Sequence, residues 1–228
     1  MNDKKDNRSM NTDKKSIILS GASGNERITA FSDGVFAIAI TLLVFRLSVP
    51  ATLPENGLWD YVPKLLPLIA SNVLGFIVLG IYWVGHHNMF KHIKRHDRSL
   101  MWLNILFLMC VAMMPFFAGL ISEHGEDTIA LAFYAFWLML TGLVLDSIWW
   151  YASKDHRLVD SNIDPDLILF VHRRVLTAPL LYLISIGVVF ISHTLTWLIF
   201  VTVILIYILP TPLDQIHHKQ LNIQEDID

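Results

Sequence analysis

Six long apolar stretches, separated by short polar segments, dominate the hydrophobic pattern of this chain. A helix needs about 20 apolar residues to cross the hydrocarbon core of a bilayer. The stretches that meet or approach this length are 28–49, 62–87, 100–121, 128–151, 175–191 and 195–209. Pro115 lies inside the third stretch and predicts a kink. The pattern therefore predicts an all-α integral membrane protein with six transmembrane helices per chain.

Polar residues flank this region at both ends. We expect a six-helix transmembrane domain over residues 27–213, between a disordered tail at 1–26 and a second tail at 214–228. The N-terminal segment is rich in Lys, Asp, Asn and Ser and has no apolar core before a cleavage site, so it does not resemble a signal peptide. All but Arg46 and Lys64 of the 17 Lys and Arg residues fall on the side of the N-terminus. Because basic residues concentrate on the cytoplasmic side, both termini are predicted to be cytoplasmic, and we expect a plasma-membrane protein.

Composition agrees with a chain that is solvated mainly by lipid. Hydrophobic residues make up 54% of the chain and charged residues only 16%, whereas soluble domains carry about a quarter charged residues. The net charge of −3, without a basic patch interleaved with aromatic residues, gives no indication of a nucleic-acid partner. The single cysteine, Cys110, lies in an apolar run, so no intrachain disulfide can form.

The first helix has a regular seam. On a wheel of about 100° per residue, one narrow sector holds Arg27, Phe31, Gly34, Ile38, Thr41 and Phe45. Spacings of four and three are typical of a left-handed helix pair or bundle. Ile38 lies roughly 16 Å along the helix from Arg27 at 1.5 Å per residue, near the middle of a membrane. The wheel alone allows two readings, a packed helix interface or, if several copies met around one axis, an apolar ring that constricts a water path.

Several charged and polar residues lie near the start of this helix, on the predicted cytoplasmic side. Asp33 lies well inside the apolar segment, where a charge is expected to pair or to line a polar cavity. Its candidate partners at the same depth are His86, His87 and Arg98. A structural polar network that fixes helix packing is more common for such a group than direct contact with an ion.

The start of this helix resembles a known family. The run Arg27-x-x-x-Phe31-Ser32-Asp33 matches the R-x-x-x-F-S-D signature of the transmembrane protein 175 family, whose animal member is an endolysosomal potassium channel. The residues from Gly34 to Val44 are similar to the bacterial branch, as is Trp83 followed by His86 and His87.

This resemblance implies a homotetramer, because bacterial members carry one six-helix unit per chain, and it implies that the first helices line a potassium-selective pore. Ile38 would form the constriction, Thr41 would favour potassium over sodium, and Phe45 would form a further apolar layer. Gly34 and Leu42 would border the pore, while the motif residues and the two histidines would form the polar network. The expected partners are the bilayer, potassium ions and copies of the chain, without nucleic acid or a cofactor.

Two positions depart from the family's pattern. Phe45 stands where smaller aliphatic residues are common, which would tighten the outer constriction. Arg46 stands where bacterial members often have Glu, and a cation facing the pore would repel potassium. Arg46 lies about 100° round the helix from Phe45, so we expect it to snorkel or to pair with an acid such as Glu55.

The sequence agrees less well with two other classes of function, a transporter and an enzyme. A secondary transporter of a small ion or solute is the alternative, but such proteins tend to show internal repeats and midplane polar sites, and this chain has no repeat and few polar residues at mid-depth, Asn104 among them. His92 and His96 are predicted to share a helix face at i and i+4, yet interleaved Lys and Arg would repel a metal ion. No nucleophile elbow, phosphate loop or Ser–His–Asp pattern is present, so we do not expect an enzyme.

Overall fold

The computed structural model describes residues 23–45 and 58–209. These residues form six α-helices joined by short linkers, and a single 3-10 turn at Lys154–His156 follows the fourth helix. The helices are α1 Ser23–Val44, α2 Leu58–His92, α3 Arg98–His124, α4 Thr128–Ser153, α5 Pro165–Val188 and α6 His193–Ile208. The first five are long and apolar enough to cross a membrane, and α6 is a shorter apolar helix of 16 residues. The prediction of an all-α protein with six apolar helices is confirmed.

The helix ends differ from the predicted apolar runs where polar caps extend a helix. Helix α5 begins ten residues before the predicted run, because Pro165 occupies the first turn and the Asp164 side chain accepts a hydrogen bond from the Asp166 amide. Such caps satisfy amides that have no partner inside the helix. Helix α1 begins at Ser23, so the last four residues of the predicted N-terminal tail are helical. The tail residues 1–22 and 210–228, and the predicted pairing of Arg46, lie outside the described residues.

The core of the bundle lies around α3 and α4. Helix α3 packs against α1, α2 and α4, and α4 packs against α5. Two glycines allow close helix contacts, since a Cβ added at Gly75 would lie 3.1 Å from Leu43, and one at Gly142 would lie 2.7 Å from Pro179. The side chains that are fully buried here are mainly large and apolar, among them Phe36, Leu79, Leu100, Phe107, Val111, Leu131, Leu138, Ile148 and Trp149.

The linkers at the predicted cytoplasmic side are tied to each other. Ile93, just after α2, pairs with Val159 in an antiparallel bridge. The amides of Lys94 and Arg95 both donate to the Leu158 carbonyl, at 2.8 and 3.1 Å. The α2–α3 linker and the α4–α5 linker therefore form one unit.

This bridge overturns one prediction about the histidines. Helix α2 ends at His92, and the extended linker after it carries His96, so the two side chains do not share a helix face. A Cβ added at Gly24 would lie 1.9 Å from the His96 ring, and Asn25 Nδ2 donates to the Ile93 carbonyl at 2.8 Å. The linker therefore holds the start of α1.

Asp97 organises the start of α3. One carboxylate oxygen accepts from the Leu100 amide at 2.8 Å, and the other accepts from the Tyr151 hydroxyl at 2.7 Å. Arg157 donates to the Tyr151 oxygen at 3.0 Å and lies 4.8 Å over its ring. Partial desolvation raises the pKa of Asp97, but the two hydrogen bonds and the Arg157 charge outweigh it, and the pKa falls below its ordinary value.

Candidate pore face

Helix α1 has two distinct faces. One face packs inside the bundle and buries Ser32, Phe36, Ala39 and Leu43, at spacings of four and three. The opposite face is left uncovered by the part of the subunit that the structure describes, and it carries Arg27, Phe31, Gly34, Ile38, Thr41, Leu42 and Phe45. Every residue that the wheel grouped into the seam is on this uncovered face. An apolar helix face of this length is expected to contact either lipid, another chain or a pore.

The side chains of the seam are exposed along the length of α1. Ile38 retains 61% of its accessible surface and Phe45 retains 82%. A Cβ added at Gly34 would meet nothing within 4 Å. Among residues 23–45 and 58–209, no side chain fully covers the positions that the resemblance assigns to the constrictions.

Thr41 is the uncharged polar residue on this face. Its hydroxyl makes contacts of 3.0 Å with the Ala37 carbonyl and 2.9 Å with the Ile38 carbonyl. A hydroxyl that gives its hydrogen to the helix backbone still has a free lone pair on oxygen. Thr41 therefore presents an acceptor oxygen to whatever occupies the space beside α1.

A buried polar network holds the inward side of the motif. Ser32 donates to the Ile28 carbonyl at 2.9 Å and accepts from Asn104 Nδ2 at 3.0 Å. Asn104 Oδ1 lies 2.8 Å from His86 Nε2, which requires Nε2 to carry the proton. The His86 ring also stacks on Phe90, with ring centres 4.2 Å apart. The network joins α1, α2 and α3.

Asp33 has a partner that the sequence reading did not predict. Trp83 Nε1 donates to Asp33 Oδ1 at 2.8 Å, and the Trp83 ring stacks on His87 at 5.4 Å between ring centres. The structure does not pair Asp33 with His86, His87 or Arg98, as was predicted. Asp33 accepts its hydrogen bond from Trp83, and His86 bonds Asn104. The Trp83 indole reaches the carboxylate from α2 and supplies the donor.

Two residues of the site were therefore missed as partners, Trp83 and Asn104. Each left a signal in the sequence. Asn104 is a polar residue inside an apolar run, which needs a hydrogen-bond partner in a membrane. Trp83 belongs to the segment that carries the family resemblance, at a spacing of three from His86. Their partners lie 72 and 50 residues away in sequence, beyond what helical periodicity can pair.

Comparisons with known proteins place the chain in a family. The family model described as the endosomal/lysosomal potassium channel TMEM175 matches residues 27–115. A protein named as a potassium channel from Streptomyces collinus is 37% identical over 174 residues, which cover 75% of this chain and 84% of that protein. Another so named, from Chamaesiphon minutus, is 33% identical over 171 residues and covers 73% and 84% respectively.

The fold agrees with a solved member. The crystal structure of a lysosomal potassium-selective channel TMEM175 homologue from Chamaesiphon minutus superposes with a TM-score of 0.70 at 29% identity, covering 80% of this chain and 95% of that one. The six apolar helices and these similarities define a multi-pass membrane protein of an ion-channel family. The chain belongs to the TMEM175 family, as the motif resemblance predicted.

Proposed function

We propose that this chain is the subunit of a potassium-selective channel, in which four copies surround a passive pore lined by α1. The observation that carries the proposal is the uncovered face of α1 from Arg27 to Phe45. This face contains a mid-helix Ile, an outward Thr and a terminal Phe in one line, with an acceptor oxygen at Thr41. The relatives named as potassium channels support the choice of ion.

Ile38 forms the narrowest ring in this proposal. Four branched apolar side chains around an axis exclude water when they approach, and such a constriction gates by dewetting. Rotation or bending of α1 widens the ring and lets water and ions pass. Phe45 forms a second apolar ring about two turns outward, with Leu42 and Gly34 bordering the pore.

Thr41 supplies the selectivity in this proposal. Potassium loses its hydration water more easily than sodium, and protein oxygens replace part of that shell in selective pores. Four Thr41 hydroxyl oxygens, one turn outward of Ile38, offer such replacement without a carbonyl filter. The back-bond of each hydroxyl to its own helix turns the lone pairs outward.

A second uncovered apolar stripe supports the homotetramer. On α2, spacings of four and three connect Val62, Leu66, Ile69, Val73, Phe76, Gly80 and Trp83, of which every large side chain is exposed in the subunit. This heptad pattern is typical of a helix that packs against another helix. We assign this stripe to contacts between neighbouring copies, which leaves α1 at the axis. We also propose that both termini are cytoplasmic, which the basic residues of the linkers support, and that the channel lies in the plasma membrane.

The reversal potential under opposed potassium and sodium solutions tests this function. Purified protein in a planar bilayer should carry a current that reverses towards the potassium equilibrium potential, and native mass spectrometry should give a tetramer. A current that reverses near zero would show that the pore does not prefer potassium over sodium. Potassium uptake that requires an opposing ion gradient, without a stable current, would favour a transporter instead.

A further inference from the structure

The inner end of α1 is tied to the two linkers at the predicted cytoplasmic side. Asn25 Nδ2, in the first turn of the helix, donates to the Ile93 carbonyl at 2.8 Å. The linker lies so close to Gly24 that an added Cβ would approach the His96 ring to 1.9 Å. Ile93 also bridges to Val159 of the α4–α5 linker, so the start of α1 rests on both linkers, which we call the linker unit.

The polar contacts of α1 with other segments are confined to its inner half. In the described part of the chain, its side chains hydrogen-bond to other segments at Asn25, Ser32 and Asp33. Thr41, further out, bonds carbonyls of its own helix, and the buried side chains of α1 beyond Asp33 are apolar. The part of α1 that carries Ile38 is therefore positioned by apolar packing and by these inner contacts.

The three contacts differ in what it costs to break them. Ser32 and Asn104 are fully buried, so separating them would leave two unsatisfied polar groups inside the membrane span. The bond from Trp83 to Asp33 has a charged acceptor, which strengthens it. Asn25 bonds a linker carbonyl at the end of the bundle, where water replaces a lost partner at a small net cost. Its Oδ1 atom is also buried without a hydrogen-bond partner in the described part of the chain, so Asn25 is the contact that releases first.

This arrangement makes α1 a lever. The helix is unbroken from Ser23 to Val44, and Ser32 lies roughly 10 Å outward of Asn25 at 1.5 Å per residue, with Ile38 about 9 Å further. Asn25 and Ile38 point about 140° apart round the helix at 100° per residue, so the linker unit holds the inner end from the side away from the seam. A rigid helix that pivots at Ser32 carries Ile38 outward when its inner end moves towards the seam side.

We propose that Asn25 is a positioning residue for the gate, whose bond to the linker unit holds Ile38 at the pore axis. Release of this bond lets α1 tilt about Ser32, and the tilt widens the Ile38 ring. The inference rests on the proposed function and adds to it the contact from which the gate is controlled.

Asn25→Asp tests this contact, because the carboxylate has no hydrogen to donate and would face the Ile93 carbonyl. An acid in the first turn suits the helix dipole, so the helix itself should persist. In single-channel recordings, the open probability should rise at least about fivefold, the effect of one hydrogen bond on a two-state equilibrium, and the reversal potential should not change. Asn88→Asp, the same substitution at an exposed residue near the end of α2, should leave the open probability within about twofold.

Arg95→Gln tests whether the linker unit acts through Asn25. The Arg95 guanidinium donates to the His156 carbonyl at 2.9 Å, in a turn where Asp155 and His156 have φ angles of 53° and 52°, a conformation that is costly for residues other than glycine. Losing this bond should loosen the unit and raise the open probability in the wild type but not in Asn25→Asp, since two changes that act on one contact do not add. Lys94→Gln, the same change of charge at the exposed neighbouring residue, should have no effect. If Asn25→Asp fails to fold, the comparison of Arg95→Gln with Lys94→Gln decides the matter.

Hydrogen exchange of the linker amides, measured by mass spectrometry, reports release of the contact independently of any current. Faster exchange at residues 93–95 in Asn25→Asp with an unchanged open probability would overturn the proposal and leave the channel assignment intact. A lower thermal midpoint with an unchanged open probability would likewise show that Asn25 has only a structural role. Absence of current in both the wild type and Ile38→Asn would refute the proposed function, and this inference would fall with it.

Discussion

The indole N–H of Trp83 donates to the carboxylate of Asp33 at 2.8 Å. This contact joins α2 to the seam-bearing helix about 1.7 turns beyond Arg27. Because both residues are only partly covered within the subunit, the bond lies next to the surfaces assigned to the pore and to the neighbouring copies. The same segment of α1 is anchored on its buried side by the Ser32–Asn104 bond.

Trp83→Phe should destabilise the subunit by removing this donor while keeping an aromatic ring. A hydrogen bond to a charged group contributes about 1.5–3 kcal/mol, and partial exposure places this one at the low end. The thermal midpoint of the purified protein should fall by a few degrees. Trp102→Phe is the matched control, since Trp102 retains 59% of its surface. Equal midpoints for the two variants would show that the Asp33 contact contributes nothing.

Ile38→Asn should raise the open probability or the conductance, because an amide lets water remain in a ring that Ile38 would dewet. Single-channel recording in a bilayer measures both quantities. Val44→Asn provides the control, since Val44 is as exposed as Ile38 within the subunit but lies about 120° away on the wheel. Unchanged currents in a properly assembled Ile38→Asn protein would mean that Ile38 is not the gate.

Thr41→Ala should reduce the preference for potassium over sodium, because it removes the oxygen that replaces hydration water. Thr41→Ser keeps a hydroxyl and should retain most of the selectivity. Thr202→Ala, at an exposed Thr on α6 that also back-bonds to its helix at 2.7 Å, controls for the loss of a membrane-exposed hydroxyl. The bi-ionic reversal potential checks each variant, and an unaltered value in Thr41→Ala would remove Thr41 from the selectivity site.

The seam on α1 was predictable because it depends only on local periodicity. A helix that repeats apolar residues at four and three must place Phe31, Ile38 and Phe45 on one face, and the structure leaves that face uncovered. The buried partners of the motif were not predictable in the same way. Asn104 bonds Ser32 across 72 residues of sequence, and the pairing depends on how three helices pack.

The structure of the linkers could not be predicted from helical periodicity either. The i, i+4 spacing of His92 and His96 predicts a shared helix face only if α2 continues past both residues. The helix instead ends at His92, and Ile93 bridges to Val159. A backbone bridge between two linkers leaves no periodic signal. Helix α5 also begins earlier than its apolar run predicts, because Asp164 and Pro165, which form its N-terminal cap, lie before that run.

Acid should weaken the contact between the start of α3 and the end of α4. The pKa of Asp97 is lower in the folded protein than its ordinary value, so its stabilisation is present above that ordinary value, about 3.9, and is lost as pH falls through the lower, folded value. Thermal midpoints between pH 3 and pH 6 should therefore fall less steeply in Asp97→Asn, which already lacks the charge. Asp160→Asn, at a carboxylate that bonds only its local turn, should keep the wild-type slope. Parallel slopes for wild type and Asp97→Asn would contradict this assignment.

The claim that the uncovered face of α1 lines the water path is tested most directly by cysteine accessibility. Cys110 is buried and is the only cysteine of the chain, so Cys110→Ala gives a cysteine-free background. In that background, Phe45→Cys should let a cationic methanethiosulfonate reagent block the potassium current. Val44→Cys, one residue away and about 100° round the helix, should conduct unblocked. Block in Val44→Cys but not in Phe45→Cys, when mass spectrometry confirms that the reagent has modified Phe45→Cys, would contradict the account.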